Sequence, residues 1–155
     1  MRTSNIEIFN LVITDTYANV KDTKIEDAII ADRNITGCKF DNIIFEGIEF
    51  INCNFQSTEI TNCKFINCKF IGCNFKFTKF NNCNLISCMT ENCYFCITNS
   101  LNCNFLSCTY INNEWIQSNA SGSFITEHLI ETFSNEILNF ESIQFATLSS
   151  ELIAA

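Results

Sequence analysis

A large apolar residue returns at every fifth position from residue 20 to residue 115, except at Thr90 and Ser100, and this spacing limits the folds open to the chain more than any other feature. The stretch Asn62 to Phe80, NCKFINCKFIGCNFKFTKF, shows it best, with phenylalanine at positions 65, 70, 75 and 80. A strand repeats every two residues and an α-helix every 3.6, so neither keeps a period of five. Each group of five residues is therefore its own structural unit, and the chain turns after each one.

A second set of positions, two residues before the first, carries the same period and holds smaller side chains. It contains every cysteine of the chain except Cys96. Its members are Cys38, Ile43, Ile48, Cys53, Thr58, Cys63, Cys68, Cys73, Thr78, Cys83, Cys88, Cys93, Thr98, Cys103 and Cys108. Two interleaved sets with one period are not expected by chance.

At these positions the chain resembles the pentapeptide-repeat family, whose loose consensus is a small residue, then Asp or Asn, then Leu or Phe, then two variable residues. Cys53–Phe55, Cys73–Phe75 and Cys103–Phe105 each read Cys-Asn-Phe and match it closely. The resemblance implies an all-β fold: a right-handed parallel quadrilateral β-helix, or solenoid, of about five coils. It also implies that the large and the small residue of each repeat lie inside. It implies little about function, because one fold hosts many functions.

The five-residue register divides the chain into three parts. Residues 18–117 are the predicted β-helix. Residues 1–17 alternate apolar and polar side chains, which predicts an N-terminal capping strand segment over the open end of the stack. Residues 118–155 change character and are predicted to form a C-terminal helical cap.

The C-terminal part has the apolar spacing of an amphipathic helix from residue 124 to residue 138. An alternative stays open for residues 136–148, since Leu138–Phe140 and Ile143–Phe145 match the five-residue register and would form a further part-coil. The segment is more apolar than the cover of one end needs, so we expect it to pair two chains in a homodimer. The candidate dimerisation residues are Phe124, Ile125, Leu129, Ile130, Phe133, Ile137 and Leu138.

Composition narrows the class of protein further. The chain has 155 residues, no proline and only 4 glycines, which excludes a disordered or collagen-like chain and favours a β-rich stack. No apolar run reaches the roughly 18 residues of a membrane span, and the N-terminus lacks the pattern of a signal peptide. We expect a soluble, cytoplasmic protein without membrane contact.

The 11 cysteines would suit a disulfide scaffold or a metal site, but their spacing favours neither. They follow the repeat and are odd in number. Stacked columns such as Cys63, Cys83 and Cys103 do not converge on one point, as the ligands of zinc must. We predict reduced, buried thiols that act as small apolar side chains, and no metal or cofactor. Cys96, outside the register, is expected to face solvent.

Positions twenty residues apart stack, so the outward columns can be read from the sequence. Apolar side chains stand in two places where solvent is expected. These candidate partner-binding residues are Ile66, Ile86 and Leu106 in one column, and Phe77 and Ile97 on a corner beside Cys96. They mark a protein partner or lie under the chain's own tail, and both alternatives stay open. Lysines and glutamates share one outward position, which disfavours direct contact with nucleic acid.

Three classes of function remain. An enzyme is least favoured, because the sequence has no Ser-His-Asp set, no phosphate-binding Gly loop and no metal-ligand cluster, and the single histidine, His128, has no nucleophile near it. A non-enzymatic protein-binding or scaffold module is favoured, with a partner that the sequence does not name.

The alternative is a DNA mimic that binds and protects or inhibits DNA gyrase or topoisomerase, a quinolone-resistance activity that the resemblance implies for some members of the family. Such a mimic requires a long and strongly negative rod. The repeats carry ten acidic and eight basic residues between positions 20 and 117, and most of the negative charge lies in residues 118–155, which hold five glutamates and no basic residue. This distribution favours the binding module.

Overall fold

The computed structural model describes residues 16–116, 118–121, 124–126, 138–139 and 144–146. These residues form 19 strands and no helix, so none of them belongs to a helix that could cross a membrane. The strands are β1 Asn19–Glu26, β2 Ile29–Ala31, β3 Lys39–Glu46, β4 Glu49–Ile51, β5 Glu59–Thr61, β6 Lys64–Ile66, β7 Lys69–Ile71, β8 Lys79–Asn81, β9 Asn84–Ile86, β10 Met89–Glu91, β11 Tyr94–Cys96, β12 Asn99–Leu101, β13 Asn104–Leu106, β14 Thr109–Ile111, β15 Glu114–Ile116, β16 Ser118–Ser121, β17 Phe124–Thr126, β18 Leu138–Asn139 and β19 Gln144–Ala146.

Every strand pairs in parallel with a strand one coil away, and the register is twenty residues throughout, as in Phe50 opposite Phe70. Four faces make up each coil. The first face holds β5, β8, β12, β16 and β18, and the second holds β6, β9, β13, β17 and β19, while β1 and β3 bend from the first to the second. The third face holds β2, β4, β7, β10 and β14, and the fourth holds β11, β15 and isolated bridges. The fold is a parallel β-solenoid of about five coils, which confirms the fold prediction.

The large residue of each repeat points into the solenoid and packs on its counterpart one coil away. The Phe55 and Phe75 ring centroids lie 4.9 Å apart and nearly parallel, and the Phe75 and Phe95 centroids are equally close. Within a coil, the Phe70 and Phe75 rings meet edge to face at 5.5 Å. Both arrangements are favourable for aromatic quadrupoles, so the rings fill the axis with little empty space.

Where the small residue of a repeat is Cys or Thr, its side chain can donate to a backbone carbonyl inside the wall. The Cys73 thiol donates to the carbonyl of Phe50 at 3.3 Å, and the Thr78 hydroxyl donates to the carbonyl of Phe55 at 2.7 Å. A hydrogen bond of this kind satisfies a polar group that burial would otherwise make costly. The thiol one coil away, together with burial, raises the pKa of the Cys63 thiol. All 11 cysteines are buried and none forms a disulfide, as predicted for ten of them.

The C-terminal part shows strands at both ends of the segment for which the sequence favours a helix. β17 pairs with β13, and β18 pairs with β16, because the exposed edge of one coil is a template for the next. Residues 127–137 lie outside the described residues, so the helix stays a prediction there. β19 continues the register, with Ile125 opposite Phe145, which agrees with the alternative of a further part-coil. The predicted N-terminal cap falls almost wholly outside the described residues.

Candidate functional site

The backbone turns each corner of the solenoid through one residue in the left-handed region, two positions after the interior large residue. At corners with residues other than glycine, φ lies between 49° and 66°. Nearly all of these residues are Asp, Asn or Ser, and the glycines Gly37, Gly47 and Gly72 occupy the same position. This choice is physical, because a left-handed residue places Cβ against the following carbonyl, and Gly, Asn and Asp tolerate it best.

Three bulky residues break this rule: Tyr17 with φ 66°, Phe77 with φ 59° and Ile97 with φ 51°. Positive φ is uncommon for any residue with a side chain, and for a β-branched residue such as Ile97 it is an outlier. The three share one of the four corner columns, between the fourth and the first face, with Gly37 and Ser57 between them. We call this column, Tyr17, Gly37, Ser57, Phe77 and Ile97, the apolar corner.

Ordinary corner hydrogen bonds hold these three residues in place. The backbone N–H of Phe77 donates to the carbonyl of Cys96 at 2.9 Å, and that of Ile97 donates to the carbonyl of Ile116 at 2.8 Å. Asn52, at another corner, makes the same bond to Ile71 at 2.8 Å. The coil therefore imposes the left-handed conformation on whatever residue stands there, and a bulky side chain adds strain.

The strained side chains are exposed. Tyr17 is 72 % exposed, Phe77 40 % and Ile97 38 %. Partial burial of these side chains therefore yields only part of the hydrophobic free energy that full burial would give. It does not explain why Asn, the common corner residue, is absent at these three positions. Strained residues persist where the rest of the fold determines the backbone, and they concentrate at functional sites. The apolar corner is accordingly the candidate functional site, and it contains Phe77 and Ile97 from the sequence prediction.

Lys76 lies directly beside the corner. Its Nζ is 5.0 Å from the centroid of the Phe77 ring, which is within the range of a cation–π contact. Lys79 stands two residues beyond Phe77 at the start of β8 and is exposed. Neither lysine forms an ion pair with any of the residues that the structure describes. The corner thus combines apolar side chains with two positive charges.

Cys96 does not face solvent as the sequence predicts. It lies on the outer side of β11, but it is only 8 % exposed. The Tyr94 hydroxyl is within hydrogen-bonding reach of its sulfur, and this contact raises the pKa of Tyr94. Ile116 lies opposite it one coil further on. The prediction of an accessible Cys96 is wrong because an outward direction along a strand does not prevent cover by neighbouring side chains.

The second predicted set lies elsewhere. Ile66 and Ile86 form a column along the second face, next to the corner diagonally opposite the apolar corner, and both are half-buried. Leu106 continues this column but is 3 % exposed, so the expectation that it meets solvent is wrong. It lies between Ile86 and the strand β17 of the next coil. The structure does not bring the two predicted sets together.

Sequence reasoning missed several exposed apolar residues that the register could have identified. Tyr17 has the corner phase of Phe77 and Ile97, but it lies just before residue 18, where the predicted β-helix begins. Ile29, 70 % exposed, and Ile111 both lie on the outer side of the third face. Leu101 lies on the outer side of the first face. Ile29, Leu101 and Ile111 each stand directly before or after an interior position of the register, so their outward direction could have been predicted.

The candidate dimerisation residues are only partly within the described chain. Phe124 and Ile125 belong to β17, and Leu138 belongs to β18, while the other four lie outside the described residues. The dimer stays a prediction. Within residues 16–116, and the shorter ranges beyond them that the structure covers, no group of three or more His, Cys, Asp or Glu is arranged to hold a metal ion.

A coil of four five-residue faces, with a large and a small side chain inside each repeat, defines the class of β-solenoids built from five-residue repeats. The family model described as pentapeptide repeats, eight copies, matches residues 34–65 and 48–85. Residues 34–85 therefore consist of pentapeptide repeats.

The chain also matches solved structures of other proteins at low identity. A trypsin-treated form of QnrB1, described as a plasmid-mediated fluoroquinolone resistance protein, is 13 % identical with a TM-score of 0.42, over 84 % of this chain and 91 % of that one. HetL from Nostoc sp. strain PCC 7120, a pentapeptide-repeat protein involved in heterocyst differentiation regulation, is 7 % identical with a TM-score of 0.32, over 79 % and 69 %. Rfr23 from Cyanothece 51142 is 10 % identical with a TM-score of 0.33, over 94 % and 96 %. No curated protein matches the chain.

Proposed function

We propose that the chain is a non-enzymatic protein-binding module whose contact surface is the apolar corner. The observation that carries the proposal is the column of Tyr17, Phe77 and Ile97, in which bulky exposed side chains occupy left-handed positions that Asn, Asp, Ser or Gly fills elsewhere. Such residues weaken the isolated fold, so their presence is best explained by a contact that they make.

The interior of the solenoid supports binding over catalysis. Aromatic rings at centroid distances of 4.7 to 5.0 Å occupy the axis, and interior thiols and hydroxyls such as those of Cys73 and Thr78 donate to backbone carbonyls. An active site needs a concave pocket with convergent polar groups. Pentapeptide-repeat proteins are generally structural or binding proteins, and the proposal follows that general role.

The charge pattern gives less support to the DNA mimic. Residues 16–59 carry eight acidic and four basic residues, but residues 60–116 carry two acidic and four basic residues. The four bases fall within a single coil, one on or beside each face: Lys64, Lys69, Lys76 and Lys79. A belt of lysines interrupts the continuous negative surface that mimicry of a DNA backbone requires. No observation on the described residues favours this alternative, and a gyrase supercoiling assay with a quinolone would test it.

The proposal is tested by affinity capture from an extract of the source organism. The bait proteins are the native chain, a Phe77→Asn/Ile97→Asn variant, and an Ile29→Asn/Ile111→Asn control on the third face. Asn already stands at many corners, such as Asn52 and Asn82, so the corner variant keeps the fold. Partners should be captured by the native chain and the control and lost with the corner variant.

Equal capture by the native chain and the corner variant would contradict the proposal, because the surface responsible would then lie elsewhere. Circular dichroism of the three baits establishes that a loss of capture is not a loss of folding. Light scattering of the native chain reports separately on the predicted homodimer through the C-terminal part, which is independent of the corner.

A further inference from the structure

The two charged residues that flank Phe77 along the chain, Lys76 and Lys79, are both positive. Lys76 lies over the Phe77 ring, and Lys79 follows on the adjoining face. The nearest acid along the first face, Glu59, stands opposite Lys79 one coil away and already pairs with Lys39 at 3.6 Å. On the other side, the residues opposite Lys76 and Lys79 are Cys96 and Asn99, which carry no charge.

We infer that the apolar corner binds an acidic linear peptide segment of its partner, in which aliphatic or aromatic side chains are flanked by carboxylates. This inference rests on the proposed function and specifies the chemistry of its partner. Apolar side chains of the peptide pack on Phe77 and Ile97, which stand one coil apart, about 4.8 Å. Carboxylates on either side reach the ammonium groups of Lys76 and Lys79 and form charge-assisted hydrogen bonds.

Complementary charge also excludes the competing occupants. A basic partner would meet two like charges, which is costly at a contact surface. An anionic membrane surface is recognised by clusters of about four to eight basic residues, whereas only Lys76 and Lys79 flank Phe77, and Lys39, further along the column, is paired with Glu59. A nucleic acid requires a larger basic footprint than two lysines on a chain of net charge −8. A linear peptide matches the narrow width of a corner column better than a flat protein surface does.

The test selects peptides from a phage-displayed library of random dodecapeptides on immobilised full-length chain. Each selected peptide is then synthesised with a fluorophore and titrated by anisotropy against five proteins: the native chain, Phe77→Asn/Ile97→Asn, Lys76→Ala/Lys79→Ala, Lys76→Glu/Lys79→Glu, and Lys64→Glu as a control on the second face. Corner-dependent peptides should be rich in Asp and Glu next to Leu, Ile or Phe.

The expected affinities distinguish the apolar and the charged contributions. The Lys76→Ala/Lys79→Ala variant should bind these peptides about threefold to tenfold more weakly, as expected for two exposed ion pairs, and added salt should reduce the difference. Lys64→Glu should leave the affinity unchanged. A Lys76→Glu/Lys79→Glu variant should lose the acidic peptides altogether.

Four results would overturn the inference. Corner-dependent peptides that are neutral or basic would refute the acidic chemistry but leave the proposed function standing. Selected peptides that bind the corner variant as well as the native chain would count against the proposed function too. Corner-dependent binding to phosphatidylserine vesicles, or a dimer in light scattering that Phe77→Asn/Ile97→Asn abolishes, would assign the corner to a lipid surface or to a second copy instead.

Discussion

The strain at Ile97 can be measured by comparing Gly and Ala at the same position. Both substitutions remove the same partly buried side chain, so the loss of packing is nearly equal. At φ 51° alanine keeps the left-handed cost of about 1–2 kcal/mol, whereas glycine does not. Glycine has a larger entropy in the unfolded chain, which counts against it by about 0.5–1 kcal/mol. Ile97→Gly should therefore be more stable than Ile97→Ala by about 0.5–1 kcal/mol.

Leu101 provides the matched control. It is 46 % exposed, close to the 38 % of Ile97, but it lies in the strand β12 and has no positive φ. Only the unfolded-state entropy then separates the two substitutions. Leu101→Ala should be more stable than Leu101→Gly by about 0.5–1 kcal/mol, so the order of Gly and Ala reverses between the two sites.

Equilibrium urea denaturation followed by circular dichroism gives the free energy of unfolding for the four variants. If Ala is the more stable substitution at both positions, Ile97 is not strained, and the argument that the apolar corner is retained for binding loses its basis. If Gly is the more stable substitution at both positions, the difference in stability between Gly and Ala does not arise from the left-handed backbone.

Two further predictions concern the interior and the thiols. Phe70→Ala should lower the free energy of unfolding by about 3–5 kcal/mol, because the Phe70 ring is buried and its centroid lies 5.0 Å from that of Phe50. Lys69→Ala breaks only an exposed ion pair with Glu49 at 3.2 Å and should cost about 1 kcal/mol or less. Similar losses for the two variants in urea denaturation would show that the inside and the outside of the wall are wrongly assigned. A thiol reagent at pH 8 should modify none of the 11 cysteines quickly in the native chain, because all of them are buried, and several fast thiols would contradict this burial. It should modify one cysteine quickly in Tyr94→Ala, because that variant lacks the side chain whose hydroxyl contacts the Cys96 sulfur. The neighbouring Cys103 thiol, with burial, also raises the pKa of Cys83 to about 12, which keeps that thiol protonated at pH 8.

The interior of this fold could be predicted from the sequence because the five-residue period fixes which residue points inward. Phe55, Phe75 and Phe95 share one phase and stack in the structure, and Cys73 and Thr78 share the other and donate to carbonyls of the wall. Once the number of residues per coil is known, the residues that stack in each inward column can be listed from the sequence. No packing detail is needed for that step.

The exposed surface could be predicted less well, because a period gives the direction of a side chain and not its cover. Cys96 and Leu106 both point outward in the register, and both are buried by neighbours. The helix expected from residue 124 also rests on spacing alone, and β17 shows that pairing to the edge of the previous coil outweighs helical periodicity at Phe124–Thr126. Tertiary context decides in each of these cases.

The apolar corner is the place where local preference and global fold disagree in this chain. At Asn62, Asn82 and Asn102 the residue prefers the conformation that the corner imposes, so local and global demands coincide. At Phe77 and Ile97 they conflict, although a change to Asn would remove the conflict without altering the coil. A conflict confined to one of four otherwise equivalent corner columns cannot come from the needs of the solenoid itself. It therefore indicates a requirement outside the fold, and a bound partner is the requirement that exposed apolar side chains beside two lysines can meet.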